Sequence, residues 1–500
     1  MKNKLIYSIV ALALLTVGCS ENFLDPVRNT NVLTSEDIAA FSDVNPALVA
    51  GTLDGIGSFM IEPAGVTGSR HYDLGQKGVD IWLDMLSGDM ALSANSYGWY
   101  QNTANLVATL DYTREENRII WEYYYKVINI SNNVISSLGG NDATPESVSS
   151  RHSMGQAKAY RAYAYFYLAQ IFQRSYDPTQ AILPFYNGNP DDTNPAKVPA
   201  SDIYALIVSD LTQSLSLLND FTRLYKHQID ANVAKGLLAY TYAAMGNYPQ
   251  AKTLSEQIIT TGGYPLTTSG QLAYPGVGSG FNDVSTPSWM WGYDITADMG
   301  HQLLNWWGQI DYFTYSYAWA GDRKAIDNNL YASIPANDIR KTQFETVSVP
   351  RRGMPLNKFF DPGRAAGGQQ TITTDYIFMR IEEFYLLSAE SSAKTGDETN
   401  AKNRLKELLA IRLGSSANAD AAVDPLSGQA LKDAIYFQTK VELWGEGKSY
   451  LALKRNQATV VRGTNHVFRS GESFAYDIDD MSFQIPQSEL NNNPSITTQN

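Results

Sequence analysis
The chain has 500 residues, of which 44% are apolar, enough for a sizeable core and too many for a globally disordered chain. Lys and Arg are outnumbered by Asp and Glu, giving a net charge of −13, and an acidic surface repels phosphate backbones, so nucleic-acid binding is excluded as a primary role. Charged residues make up only 18% while tyrosine is abundant at 31, a balance that suits neutral polar ligands better than ionic ones.

The N-terminus reads as an export signal. Lys2 and Lys4 precede the uncharged run Leu5 to Val17, which is too short for a membrane span and the right size for a signal-peptide core. Gly18 then leads into Cys19, the single cysteine of the chain, so no intramolecular disulfide forms. A secretory core ending in a small residue and a cysteine resembles the bacterial lipoprotein pattern, with residues 1–18 removed and Cys19 acylated. Thr16 stands three before the cysteine, where Leu is commoner. The alternative is an ordinary secreted protein with a leftover cysteine. Residues 19–35 read as lipid anchor and tether, polar and interrupted by Pro26.

Helical periodicity follows. Trp121, Tyr125 and Ile128 recur at i, i+4, i+7, and Tyr160, Tyr163 and Tyr167 at i, i+3, i+7 within Ala157–Phe172. Ser201-Asp202 and Asp230 are helix starts; Gly246 and Gly396 are helix stops. The segments Ala243–Lys252 and Ala393–Lys402 share one layout, with Gly three after Ala and Ala-Lys five after Gly. This is the helix–turn–helix signature of tetratricopeptide-type repeats. A loop-rich insertion at about 261–374 separates the two copies and carries Gly262-Gly263, Pro275-Gly276, Pro362-Gly363 and Gly367-Gly368. A second Gly-rich region runs from Gly51 to Gly98. The expected fold is mostly α, a tetratricopeptide-like helix-pair scaffold with long irregular loop insertions, formed as one unit over 36–500.

No local motif supplies catalytic chemistry. The five histidines, His71, His152, His227, His301 and His466, form no H-E-x-x-H pair, so each reads as a structural or surface histidine. Gly447-Lys448-Ser449 imitates the end of a phosphate loop, but Glu442 stands where the upstream Gly is needed. Glu382-Glu383 and Asp479-Asp480 are sequence neighbours, and the reading preferred for both is a solvated face rather than a glycosidase pair. No metal site is indicated and no cofactor is expected; scattered Asp and Asn leave structural calcium open, without a D-x-D-x-D-G loop.

Aromatic residues concentrate instead. Trp289, Trp291, Trp306, Trp307 and Trp319 are five of the nine tryptophans, and Tyr293, Tyr312, Tyr315, Tyr317 and Tyr331 lie among them. Planar rings stack on the C–H faces of sugars while amides and guanidinium groups meet the hydroxyls. Tyr97-Gly98-Trp99-Tyr100 is a second aromatic knot, able to approach the first in space. The ligand residues expected are Tyr97, Trp99, Trp306, Trp307, Trp319 and Arg323. For any one ring, packing of the insertion on the helices is the competing explanation, and for Arg323 with Asp322 a surface salt bridge.

The C-terminal half carries a family resemblance. Met379-Arg380-Ile381-Glu382-Glu383-Phe384-Tyr385-Leu386-Leu387-Ser388-Ala389-Glu390 resembles the R-x-x-E-x-Y-L-x-x-A-E helix of SusD/RagB nutrient-binding lipoproteins of Bacteroidetes. Glu442-Leu443-Trp444-Gly445-Glu446-Gly447 resembles the family's E-L-x-x-E-G helix end, and Phe483-Gln484-Ile485-Pro486 with Asn493-Pro494 its closing segment. Thr439-Lys440-Val441 departs from the usual Glu-Arg pair. The Ala159-Tyr160-Arg161-Ala162 helix, the Gly246 turn and Asn22-Phe23-Leu24-Asp25 after the cysteine fit as well. The resemblance implies a lipid-anchored protein of the outer membrane facing outward. It implies a binding protein rather than an enzyme, which captures oligosaccharides and delivers them to a SusC-like TonB-dependent transporter. Oligopeptides are the alternative ligand within the family, and a surface glycoside hydrolase the alternative of another class.

Overall fold
The structure is a computed structural model that describes residues 46–188 and 194–500. The signal segment, Cys19 and the tether lie outside the described residues. Twelve longer helices carry the fold: α1 (Pro46–Phe59), α2 (Gly75–Leu86), α3 (Glu115–Ser137), α4 (Val148–Phe172), α5 (Ala200–Leu217), α6 (Ala231–Ala244), α7 (Tyr248–Thr261), α8 (Glu382–Lys394), α9 (Glu398–Arg412), α10 (Ser416–Val423), α11 (Gly428–Glu442) and α12 (Ser449–Asn456). From α3 to α10 each helix packs on the next, with α11 set against α8. The chain leaves this stack after α7, runs through the long loop region, and returns at α8, which packs directly on α7. The two sequence repeats are therefore neighbouring helix pairs of one solenoid.

Local chemistry explains the joints. Asp230 caps α6 by accepting the Val233 N–H at 2.9 Å, Asn247 caps α7 through Gln250, and Asp397 caps α9 through Asn400. Each such cap is worth about 1 kcal/mol. Gly246 and Gly396 sit at φ +76° and +83°, the left-handed conformation that ends α6 and α8. Ser201 and Asp202 fall in the first turn of α5, one residue inside its true start at Ala200. Tyr160, Tyr163 and Tyr167 are buried, but so is almost all of α4, which is wrapped on every side. A helix buried all round is a core element, and its small alanines admit close neighbours.

Short strands pin the loops to the stack. Strands β1 (Met90–Leu92) and β5 (Lys324–Ile326) pair antiparallel, with Met90 opposite Ile326. Strands β4 (Trp289–Tyr293) and β6 (Tyr376–Arg380) pair antiparallel, with Trp289 opposite Arg380. β2 (Ala181–Pro184) with β3 (Lys197–Pro199), and β7 (Thr459–Val461) with β8 (Ser473–Ala475), make two further ladders. Met379 and Arg380, read as the start of a helix, thus end strand β6, and α8 begins at Glu382.

Glu382 and Glu383 are not on a solvated face. Both are buried. Arg412 donates to Glu382 at 3.1 Å and to Glu442 at 2.6 Å; Arg380 donates to Glu442 at 2.7 Å and to Glu446 at 2.8 Å; Lys358 donates to Glu446 at 2.7 Å. Tyr240 donates its hydroxyl to Glu383 at 2.7 Å. This network joins β6, α8, α9 and α11. Breaking one partner of such a buried set costs about 3–5 kcal/mol, because a desolvated charge is left alone.

Candidate aromatic ligand site
The site is built where the loop after β1 meets the loop before β5. Ser93 N–H donates to the Arg323 carbonyl at 2.8 Å and Arg323 N–H to the Ala94 carbonyl at 3.1 Å, so the ladder continues past both strands. Asp322, wholly buried, then accepts three backbone N–H groups, from Ser96 at 2.6 Å, Tyr97 at 2.8 Å and Trp99 at 3.1 Å. Bonds to an ionised carboxylate are about twice as strong as neutral ones, and three of them fix the turn. Gly98 lies at φ +88° within it. Gly321 packs so closely on Ser96 that a Cβ there would meet the Ser96 hydroxyl at 2.2 Å.

The turn presents its rings outward. Tyr97 is 63% exposed, and its ring meets the edge of Tyr317 at 5.3 Å. Trp99 is half-buried, with Tyr317 at 5.6 Å and His71 stacked on it at 4.8 Å. Burial lowers the His71 pKa, so the stacked imidazole is neutral at physiological pH. Tyr317 opens a one-turn helix to Ala320 that also carries Trp319, half-buried beside the 44% exposed Tyr315 at 5.5 Å. A Cβ on Gly367, at φ +68°, would fall 2.7 Å from the Trp319 ring, so glycine there lets the loop back the indole. A groove of about 430 Å³ runs along Tyr97, Gly98 and Trp99 and is edged by Asn102, Arg70 and Glu115, the last two ion-paired.

Behind the turn, Lys324 is fully buried and donates to Gln309 at 2.9 Å and to the Asp322 carbonyl at 3.0 Å, with its ammonium 4.6 Å from the Tyr100 ring centre. Burial pushes its pKa down to about 7 against the pull of Asp322. Arg323, between Asp322 and Lys324, is half-buried, makes no ion pair with Asp322, and its Nε is buried without a hydrogen-bond partner.

Of the residues expected from sequence, Tyr97, Trp99 and Trp319 are on or beside this face and Arg323 adjoins it. Trp306 and Trp307 are not. They are 1% and 0% exposed, wedged against Phe359 at 4.9 and 6.2 Å, with Trp307 donating to the Thr374 carbonyl at 3.0 Å and Lys77 lying over Trp306. They pack the insertion onto the core and have no surface to offer a ligand. Trp289 and Trp291, in β4, are buried likewise. Tyr317, the ring joining the two knots, and His71 were missed as site residues, and Asp322, read with Arg323 as a hydrogen-bonding group for a ligand, instead holds the turn. Only the density of aromatics around Tyr317 signalled that ring. Among the described residues no cluster of three or more His, Cys, Asp or Glu is arranged to hold a metal ion, and no helix is long and apolar enough to cross a membrane.

The helical solenoid with long loop insertions is a plan shared with known proteins. Residues 313–500 match the SusD family model, and residues 66–242 match a SusD-like model described as starch-binding and associating with the outer membrane. The chain belongs to the SusD family. Among solved structures it is similar to a SusD-like carbohydrate-binding protein from Bacteroides vulgatus, with 23% identity and a TM-score of 0.74 over 90% of this chain and 97% of that one. A SusD superfamily protein from Bacteroides thetaiotaomicron gives 20% identity and a TM-score of 0.73 over 91% and 99% of the two chains. Surface glycan-binding protein A from Bacteroides uniformis gives 16% and 0.65 over 91% and 99%. No curated protein matches in sequence.

Proposed function
We propose that the protein captures oligosaccharides on the face formed by Tyr97, Trp99, Tyr317, Tyr315 and Trp319, and delivers them to a SusC-like TonB-dependent transporter. In this reading it is anchored through acylated Cys19 on the outer face of the outer membrane, and it binds without catalysing. The observation that carries the proposal is the exposed Tyr97 and half-buried Trp99 rings held on a turn that the Asp322 carboxylate fixes in advance. Preorganised rings lose little freedom when they stack on a ligand, which favours affinity. The chain, only 18% of it charged, suits uncharged hydroxyl-rich ligands, and the names of the structural relatives in Bacteroides point the same way.

The test is calorimetric titration of the chain from Ser20 onward with a panel of oligosaccharides and oligopeptides. Saturable binding of one glycan class that Trp99→Ala or Trp319→Ala removes supports the proposal. Binding of peptides alone would overturn the sugar class. Co-purification of the lipidated protein with a barrel transporter from outer membranes tests the delivery role.

A further inference from the structure
A cleft of about 760 Å³ lies apart from the aromatic groove. It lies on the other side of the same strand exit: Ser93 lines it, and Tyr97 of the aromatic face is four residues on, a span of at most about 14 Å. Its walls are fixed. On one side Glu345 closes a loop by pairing its backbone with Met354 and Gly353 at 2.9 and 2.7 Å, and its carboxylate caps the Val347 N–H at 2.7 Å. On the other side Asn328 accepts from the Thr464 N–H at 2.9 Å, Asn465 donates to the Ile326 carbonyl at 2.9 Å, and His466 pairs with Asp327 at 3.1 Å. Tyr331 contributes a half-buried ring, and Val349 and Val467 form an apolar rim, 74% and 47% exposed.

The charges lining this cleft are committed, except one. Glu345 serves the backbone and faces Arg351 at 3.9 Å, and His466 has Asp327. Arg351 itself lies over the Tyr312 ring. Arg352 is exposed in the cleft wall and its guanidinium has no hydrogen-bond or ion-pair partner among the described residues. An unengaged guanidinium presents a fork whose geometry matches a carboxylate with two parallel bonds. Around it are neutral amides and hydroxyls that suit ring hydroxyls, and an apolar rim that suits a C–H face.

We propose that this cleft is a second saccharide subsite, which takes a sugar unit bearing a carboxylate on Arg352. The choice of a sugar rests on the glycan reading of the aromatic face; the choice of an acidic one rests on Arg352 alone. The probes are trigalacturonic acid and the neutral galactotriose, titrated into the protein by calorimetry at low and high salt. The acidic trisaccharide binds more tightly than the neutral one, and the difference shrinks at high salt, as an exposed ionic contact requires. Arg352→Gln lowers its affinity about tenfold while leaving galactotriose unaffected. Equal binding of the two trisaccharides, or undiminished trigalacturonate binding by Arg352→Gln, overturns the subsite. If that happens while Trp99→Ala still abolishes binding of a panel glycan, the aromatic site stands and only this cleft assignment fails. If no saccharide binds at all, the glycan reading itself fails.

Discussion
The Asp322 carboxylate accepts the backbone N–H of Trp99 at 3.1 Å across a sequence separation of 223 residues. With the Ser96 and Tyr97 bonds it turns two distant loops into one rigid face. Asp322→Ala leaves three loop N–H groups without their acceptor and frees the turn. Glycan affinity is expected to fall about tenfold or more, since each charged hydrogen bond contributes about 1.5–3 kcal/mol. Asp322→Asn retains part of the geometry and loses less. Titration of the two variants against the same glycan checks the order.

Exposed and buried tryptophans separate by readout. Trp99→Ala and Trp319→Ala remove ligand contact, so affinity drops while the melting temperature stays close to wild type. Trp307→Ala empties a fully buried site and costs about 3–5 kcal/mol of stability. A denaturant midpoint for Trp307→Ala equal to wild type would contradict the core placement.

Acid weakens the charge network at the base of α8. Burial alone would raise the Glu446 pKa, but Arg380 and Lys358 hold it down to about 2. A carboxylate whose pKa is depressed by folding contributes stability above its unfolded value and loses it as pH falls through the folded one. Stability is therefore expected to decline from about pH 4.5 toward pH 2, and Glu446→Gln, already destabilised, to decline less. Urea unfolding at stepped pH measures both slopes.

Lys324 changes stability in the same direction but in a higher pH window. Its pKa is depressed to about 7 by burial, against an ordinary value of 10.5, so between those values the unfolded chain holds a proton that the folded chain does not. Stability from this residue rises with pH through that window. Lys324→Met removes the term. The wild-type melting temperature, taken relative to the variant, is expected to be higher at alkaline pH than near neutrality, and a constant difference would rule the mechanism out.

Much of the scaffold was legible because its determinants are local. Asp230, Asn247 and Asp397 satisfy donors three residues away, and Gly246 and Gly396 take a backbone conformation other residues resist. Such signals lie within a few residues of one another. The polarity of Glu382 and Glu383 misled for the opposite reason. Their partners, Arg412 and Tyr240, come from other helices, and an ion pair that permits burial is invisible to a local pattern.

The aromatic site divides along the same line. Composition located both ring clusters, and Tyr97, Trp99 and Trp319 belong to the exposed face. Trp306 and Trp307 have the same side chain and the same kind of neighbours in sequence as Trp319, yet Phe359, Tyr376 and the Thr374 carbonyl enclose them while Trp319, backed by Gly367, stays half-buried. The sequence alone determined the helix pairs, their caps and the place where rings accumulate, because periodicity and capping act over a few residues. Only the tertiary structure decided which rings face outward, because exposure depends on what the rest of the chain, hundreds of residues away, packs against each one.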